Sequence, residues 1–356
     1  MGSGSETDNS RGKGIESDAE ACAVGVPLRT IVSFVRMYRA DGAGYNPSAR
    51  KVARMSKLCT TWLFAIVIVV GTVLGTSAQT FTTLVNFDRI NGRNPETSPL
   101  VQGIDGDFYG TTDYGGNPAC SNGFVKIGCG IIFKIDPLGN ETVVHRFCFQ
   151  TNCPDGEQPF GGLTLGMDGD IYGTTASGGS NSKGVVFKLT PSGRVITLYN
   201  FCSQPGCSDG SLPLASLTLG IDGSLYGTTS GGGTASSYCS TGCGTVFKIT
   251  SDGAFTTLHS FDCVDGDNPG AALVQATDGY LYGTTSFGGS SGCNEANNAG
   301  TVFRITPKGV FKTLYSFCAR FYCLDGANPD GTLIQALDGT LYGTTQFGGT
   351  GECGPE

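Results

Sequence analysis

Charge is scarce in this chain, and positive charge most of all. Only 15% of the 356 residues are Asp, Glu, Lys or Arg, and the formal net charge is −8. From Thr80 onward 13 basic residues stand against 24 acidic ones, a net of −11. Nucleic-acid surfaces carry a basic stripe and anionic lipid attracts basic patches, so both are disfavoured as partners. Histidine is almost missing too: His145 and His259 are the whole supply. Both stand at one recurring position, which holds Val85, Tyr199 and Tyr315 elsewhere. A position that accepts Val, Tyr or His reads as a packing position, and Ser-His or Cys-His hydrolysis then lacks its base. The 57 glycines follow no G-X-Y period, which excludes collagen. With 39% hydrophobic residues, the chain is too apolar for a disordered protein.

Residues 1–79 differ from the rest. Lys51, Arg54 and Lys57 precede an apolar run from Trp62 to Leu74, followed by small residues to Ala78. That order, basic then apolar then small, is the order of a secretory signal. Residues 55–79, opening at Met55, are therefore expected to be a signal peptide or an uncleaved signal-anchor helix using residues 58–78. Residues 1–54 are expected to be a disordered tail or a mis-called start. In either case the basic flank stays inside, and residues 80–356 are exported to the cell surface or beyond.

The exported part repeats. Tyr-Gly-Thr-Thr begins at Tyr109, Tyr172, Tyr226, Tyr282 and Tyr342, each Tyr followed by Gly110, Gly173, Gly227, Gly283 or Gly343. Between these phrases lie four strand-like runs: A ("GTVFKIT", Gly244), B ("AFTTLHSF", Ala254), C ("AALVQAT", Ala271) and D ("LYGTT", Leu281). Asp-Gly between C and D is a strong hairpin signal, and "TPSG" or "TPKG" between A and B supplies Pro and Gly for a tight turn. Each repeat reads as two hairpins in series. Units of this kind point to an all-β fold, a β-propeller of about five four-stranded blades, with an open β-solenoid as the alternative. The YGTT phrase is then scaffold: Tyr and Thr suit a half-buried pleat, and Gly leaves room for a neighbouring ring. The glycine pairs after it (Gly231-Gly232, Gly288-Gly289, Gly348-Gly349) are expected to turn the chain out of the blade. B, C and D occur five times and A four times, so the fifth blade is expected to lack one strand, or the chain to be cut short before it.

The string "GTVFKIT…TTL…SF…DG…P…DG…LYGTT…GG" resembles the tandem repeat of the choice-of-anchor GloVer family, the Gloeobacter–Verrucomicrobia repeat. The resemblance covers roughly Thr80 to Gly354. It implies a bacterial, exported protein of a family that often ends in a surface-anchoring segment. It implies no activity.

Strand direction alternates, so turns A→B and C→D share one face and loops B→C and D→A share the other. All 13 exported cysteines fall in the second class of loop. Cys148–Cys153, Cys202–Cys207 and Cys318–Cys323 recur at one repeat position; Cys120/Cys129 and Cys239/Cys243 lie in another. Local pairs in an exported chain read as disulfides. Cys263 lacks a local partner and is expected to pair with Cys293. Zinc wants four converging ligands, and these pairs belong to separate repeats. Asp262, Asp265 and Asp267 have oxygen-ligand spacing but no EF-hand pattern. No catalytic, cofactor-binding or metal residue is assigned. Tyr114, Phe287 and Phe347, just before the glycine pairs, are the aromatics available to a ligand such as a sugar. The expected function is a non-enzymatic extracellular binding or structural module, its ligand a carbohydrate or a protein. The alternatives are a carbohydrate-active enzyme with a carboxylate pair on the loop face and a membrane-tethered sensor ectodomain.

Overall fold

The computed structural model describes residues 81–95, 99–117, 120, 128–289 and 299–349. The expectations for residues 1–54, for the 55–79 segment and for Cys293 lie outside these residues. Among the described residues there is no α-helix, only single 3-10 turns at Pro205–Cys207 and Phe321–Cys323. No helix among them is long and apolar enough to cross a membrane.

The architecture is all-β, in successive antiparallel sheets. Sheet 1 comprises β1 (Val101–Gln102), β2 (Phe108–Thr112), β3 (Ile131–Ile135) and β4 (Glu141–Arg146). Sheet 2 comprises β5 (Thr164–Leu165), β6 (Ile171–Thr175), β7 (Val185–Leu189) and β8 (Val195–Asn200). Sheet 3 comprises β9 (Thr218–Leu219), β10 (Leu225–Thr229), β11 (Thr245–Ile249) and β12 (Phe255–Ser260). Sheet 4 comprises β13 (Val274–Gln275), β14 (Leu281–Thr285), β15 (Thr301–Ile305) and β16 (Phe311–Ser316). Sheet 5 has only β17 (Ile334–Gln335) and β18 (Leu341–Tyr342).

Three expectations change. Each sheet runs C-D-A-B, not A-B-C-D, because D pairs with the following A while B and the next C share no ladder. The glycine pairs after YGTT therefore turn the chain within a sheet, and the loop that leaves a sheet is B→C. Among the described residues the fifth sheet holds two strands, so two are missing rather than one. The B-type run Phe81–Phe87 forms no strand, since a B strand ladders only to an A strand and no A run precedes it.

Residue chemistry explains the stack. In the D–A ladder Gly110 faces Phe133, Gly173 faces Phe187, Gly227 faces Phe247 and Gly283 faces Phe303. A Cβ on any of these glycines would sit 2.5–2.6 Å from the ring's Cζ. The glycine is a slot for the cross-strand ring, and its backbone is ordinary. Each ring also receives the Phe that ends the preceding B run: Phe87–Phe133, Phe147–Phe187, Phe201–Phe247 and Phe261–Phe303 lie edge-on at 5.1–5.3 Å. Phe147, Phe187, Phe201, Phe247, Phe261 and Phe303 are all fully buried, each contributing about 2–3 kcal/mol of burial. The first Thr of YGTT bonds across to the next sheet: Thr174 and Thr228 donate to the carbonyls of Ala215 and Ala271, both at 3.2 Å. Successive sheets therefore share one repeated interface.

Candidate binding face

The two ends of the sheets differ. At the short-turn end, each Asp-Gly turn is closed by its own aspartate. Asp222 Oδ1 accepts the Ser224 N–H at 3.1 Å, and Oδ2 accepts the Tyr226 hydroxyl at 2.8 Å and the Lys248 ammonium at 2.8 Å. The Tyr109–Asp105, Tyr172–Asp168 and Tyr282–Asp278 bonds repeat this at 2.7, 2.6 and 2.7 Å. Burial, then the aspartate bond, pushes the phenols of Tyr109, Tyr172 and Tyr226 well above their ordinary range. These tyrosines hold turns. A groove of about 350 Å³ between sheets 2 and 3 runs past Asp168 and Asp222, but both carboxylates are already engaged there.

The other end is built from long loops laced together. Each B→C loop bonds backward to the D→A loop of the sheet it leaves: Gln158, Leu212, Asn268 and Asn328 donate N–H to the carbonyls of Cys129, Lys183, Cys243 and Ala299. It also bridges forward to the D→A loop of the sheet it enters, as Glu157 to Ser177, Ser211 to Gly231, Asp267 to Phe287 and Ala327 to Phe347. The lacing demands backbone contact. A Cβ on Gly232 would come within 2.6–2.7 Å of backbone atoms of Gly210 and Cys207, and φ there is +72°. The pair equivalent to Gly288-Gly289 is thus Gly232-Gly233, one residue later than expected from the sequence.

The recurring strand-B position proves to be polar at its tip. His145 Nε2 lies 2.8 Å from Asp155 Oδ2, and His259 Nε2 lies 2.7 Å from Asp265 Oδ2. The Tyr199 and Tyr315 hydroxyls donate to Asp209 and Asp325 at 2.8 and 2.6 Å. The same aspartates accept backbone N–H groups from their loops, from Cys148 at 3.1 Å and Ser203 at 2.9 Å for example. So the position does more than pack: it ties strand B to the loop through an aspartate not matched to it at the sequence level. A matched spacing of ten residues in three of the four loops was the available signal.

The predicted local disulfides are present: Cys120–Cys129, Cys148–Cys153, Cys202–Cys207, Cys239–Cys243 and Cys318–Cys323, with Cα separations of 4.0–5.5 Å. Cys263 is disulfide-bonded; Cys293 is outside the described residues. The pairs are not all apart, however. The donor atoms of Cys120, Cys129, Cys148 and Glu157 lie within 4.8 Å of one another, and so do those of Cys239, Cys243 and Asp267. Separation in sequence does not keep these cysteines apart, because the B→C loop folds back under the preceding D→A loop. Burial raises the carboxyls of Glu157 and Asp267 above their ordinary values.

Tyr114, Phe287 and Phe347 occupy one position on this face. Phe287 and Phe347 are 37% and 48% exposed, and Tyr114 is half-buried. Each lies beside a B→C loop, bridged to Arg93, Asp267 or Ala327.

The Gloeobacter/Verrucomicrobia repeat matches residues 120–355, the greater part of the chain. The chain belongs to this family. The match takes in sheets 2 to 5 of the Gloeobacter/Verrucomicrobia repeat protein and the second half of sheet 1. No curated protein matches it. Among solved structures it is similar to a putative gluconolactonase (14% identity, TM-score 0.36, 60% of this chain and 63% of that one). It is also similar to the extracellular domain of a putative hybrid two-component system from B. thetaiotaomicron (11%, 0.44, 73% and 30%). A third is the endo-arabinase of Bacteroides thetaiotaomicron (13%, 0.36, 71% and 90%). The chain spans less than two thirds of the first two proteins, and at these scores none bears on what it does.

Proposed function

We propose that this repeat protein is an exported, non-enzymatic binding or structural module, its sheets arranged as the blades of a β-propeller and its long-loop face the ligand face. One observation carries this: the two ends of the same sheets are built to opposite rules. The turn end repeats one closed design in which each turn aspartate accepts its own Tyr hydroxyl, with a Lys on that aspartate or its neighbour in sheets 1 to 3. The loop end varies in length and sequence, yet it is held by disulfides and backbone lacing, so variable side chains sit on a fixed frame. Binding surfaces need that combination, because ordering loops during binding costs affinity. Phe287 and Phe347 supply exposed aromatic area on the frame, suited to stacking on a sugar ring or to a protein contact. The loop carboxylates raised by burial, Glu157 and Asp267, each sit among cysteine sulfurs, and His145 and His259 hold loop aspartates. These groups support a frame better than a hydrolytic pair.

The test has two arms. A reporter fused after residue 356 is assayed in periplasmic and surface fractions of a bacterial host. The purified oxidised chain is then run in affinity gels cast with soluble polysaccharides, beside the double variant Phe287→Ala/Phe347→Ala. Retardation by at least one polysaccharide, lost in the variant, supports the face. Cytoplasmic retention of the reporter, or glycan cleavage by the purified chain, sinks the reading.

A further inference from the structure

The B→C loops carry a feature that bracing by disulfides does not explain. The residue after each Asp-Gly is Glu157, Ser211, Asp267 or Ala327 in the four loops that follow a D→A loop. The acid occurs only where that preceding D→A loop holds two cysteines: Cys120 and Cys129 before Glu157, Cys239 and Cys243 before Asp267. The loop 176–183 has none and the loop 286–299 has one. A disulfide has no use for a carboxylate at its side. A half-buried carboxylate beside sulfur is a cost unless a cation joins it.

The geometry at Glu157 is the more complete. Its Oε2 lies 4.0 Å from Cys129 Sγ and 3.9 Å from Cys153 Sγ. With Cys120 and Cys148, three sulfurs from two loops and the Glu157 carboxylate lie within 4.8 Å of one another, and Cys153, the disulfide partner of Cys148, stands beside the carboxylate. Zinc takes thiolate at about 2.3 Å and carboxylate at about 2.0–2.2 Å in a tetrahedron. That geometry puts the donors about 3.5–3.8 Å apart; here all four lie within 4.8 Å of one another, with Cys120 and Cys129 joined as a disulfide. The set at Asp267 repeats the motif with Cys239 and Cys243, and Cys263 packs in the same cluster.

We propose that Cys120, Cys129, Cys148 and Glu157 form a redox-gated site for a divalent thiophilic cation of the Zn²⁺ class, closed while Cys120–Cys129 and Cys148–Cys153 are disulfides. Opening it takes a dithiol reductant. Each disulfide accepts two electrons and two protons, giving two thiols, and each dithiol leaves as its cyclic disulfide. The cation then displaces the thiol protons of Cys120, Cys129 and Cys148, and the carboxylate of Glu157 completes the shell. Thiolates are the ligands here, so the oxidised chain has no such site. The set at Asp267 provides a weaker site of three donors.

The experiment uses the full chain, oxidised or reduced with dithiothreitol and desalted under argon, titrated with Co²⁺ alone. The reduced chain is expected to develop thiolate-to-cobalt charge transfer and the intense visible bands of a tetrahedral ion, bleached by Zn²⁺. The oxidised chain shows neither. Glu157→Gln is expected to weaken Co²⁺ binding about tenfold or more and to alter the visible bands. The double variant Cys202→Ser/Cys207→Ser, which removes a pair with no acid beside it, leaves the titration unchanged. Octahedral Co²⁺ spectra in the reduced chain, or identical titrations for wild type and Glu157→Gln, overturn the proposal. Should reduction unfold the chain, thermal melting decides: Zn²⁺ must raise the midpoint of the reduced chain, and less so for Glu157→Gln. No rise, or an equal rise in both, counts against it.

Discussion

Gly227→Ala isolates the physical role of the YGTT glycine. The added Cβ would meet Phe247 Cζ at 2.5 Å, and Leu217 Cδ2 and Phe247 Cε1 each at 2.9 Å, against the roughly 3.5–4.0 Å of an ordinary carbon contact. The ring cannot step aside. Phe247 is fully buried, with Phe201 and Phe255 each 5.3 Å away. Overpacking of this kind costs about 1–3 kcal/mol. Replacing Gly by Ala in ordinary backbone restricts the unfolded chain and returns about 0.4–1 kcal/mol. The net expectation is a loss of about 1–2 kcal/mol. It is read as the shift of the urea midpoint of the oxidised chain at neutral pH. Phe247→Leu in the same background should relieve the clash, giving a coupling of about 1 kcal/mol in a double-mutant cycle. Gly279→Ala is the control. Nothing lies within 4 Å of its Cβ, but φ is +82°, so it should lose about 1–2 kcal/mol through the backbone and show no such coupling. The slot account fails if Gly227→Ala keeps or raises the midpoint, or if the cycle is additive.

Four further outcomes are expected. Thr229→Val should cost about 1–3 kcal/mol, because its fully buried hydroxyl bonds the Gly231 carbonyl, the Thr245 hydroxyl and the Thr245 N–H; Thr228→Val, losing one 3.2 Å bond between sheets, should cost about 1 kcal/mol; urea midpoints rank them. Leu212→Asn should stabilise by about 0.5–1 kcal/mol, since Leu212 holds φ +56° where equivalent loops place Asn94, Asn268 and Asn328; an unchanged or lower melting midpoint refutes this. Against desolvation, which pushes it up, bonds from Lys248 and Tyr226 hold Asp222 down to about 2. Its folded value is below the unfolded one, so the stability it adds is present above about pH 4 and lost as pH falls toward 2. For this part-exposed pair the loss is at most about 1 kcal/mol, and Asp222→Asn should flatten that part of the stability–pH curve. Cys202→Ser/Cys207→Ser should lower stability by about 2 kcal/mol under oxidising conditions and leave the reduced chain unchanged in urea melts.

Much of this architecture was legible because its causes are local. Asp-Gly and Thr-Pro-x-Gly turns need a left-handed glycine, and Gly223 and Gly193 show φ of +78° and +81°. The glycine in YGTT announced a ring, and the ring is there. What the repeat could not disclose was its phase. A cycle A-B-C-D can be cut at any of four joints, and the cut falls where the ladder stops. Hydrophobic alternation does not encode that joint, since every strand alternates on both sides of it. Nor does strand B alternate evenly, because an extra residue such as Leu258 bulges out between His259, facing Val246, and Thr257, facing Phe247.

The loop face was legible only in part, for a different reason: its partners are fixed by folding back, and its loops differ in length. His259 meets Asp265 six residues on, while His145, Tyr199 and Tyr315 each meet an aspartate ten residues on. One recurring contact is thus hidden by an insertion that carries its own disulfide. The acid beside the cysteines is hidden in the same way. Glu157 is only four residues from Cys153 but 28 from Cys129, and sulfur pairing alone accounts for every cysteine among the described residues without asking why an acid sits among them. That unexplained carboxylate separates a loop that is merely braced from a loop that binds. The two roles predict opposite results for Glu157→Gln. A brace is indifferent to the change or gains from it, because a half-buried charge is removed. A ligand shell loses affinity in the reduced state alone.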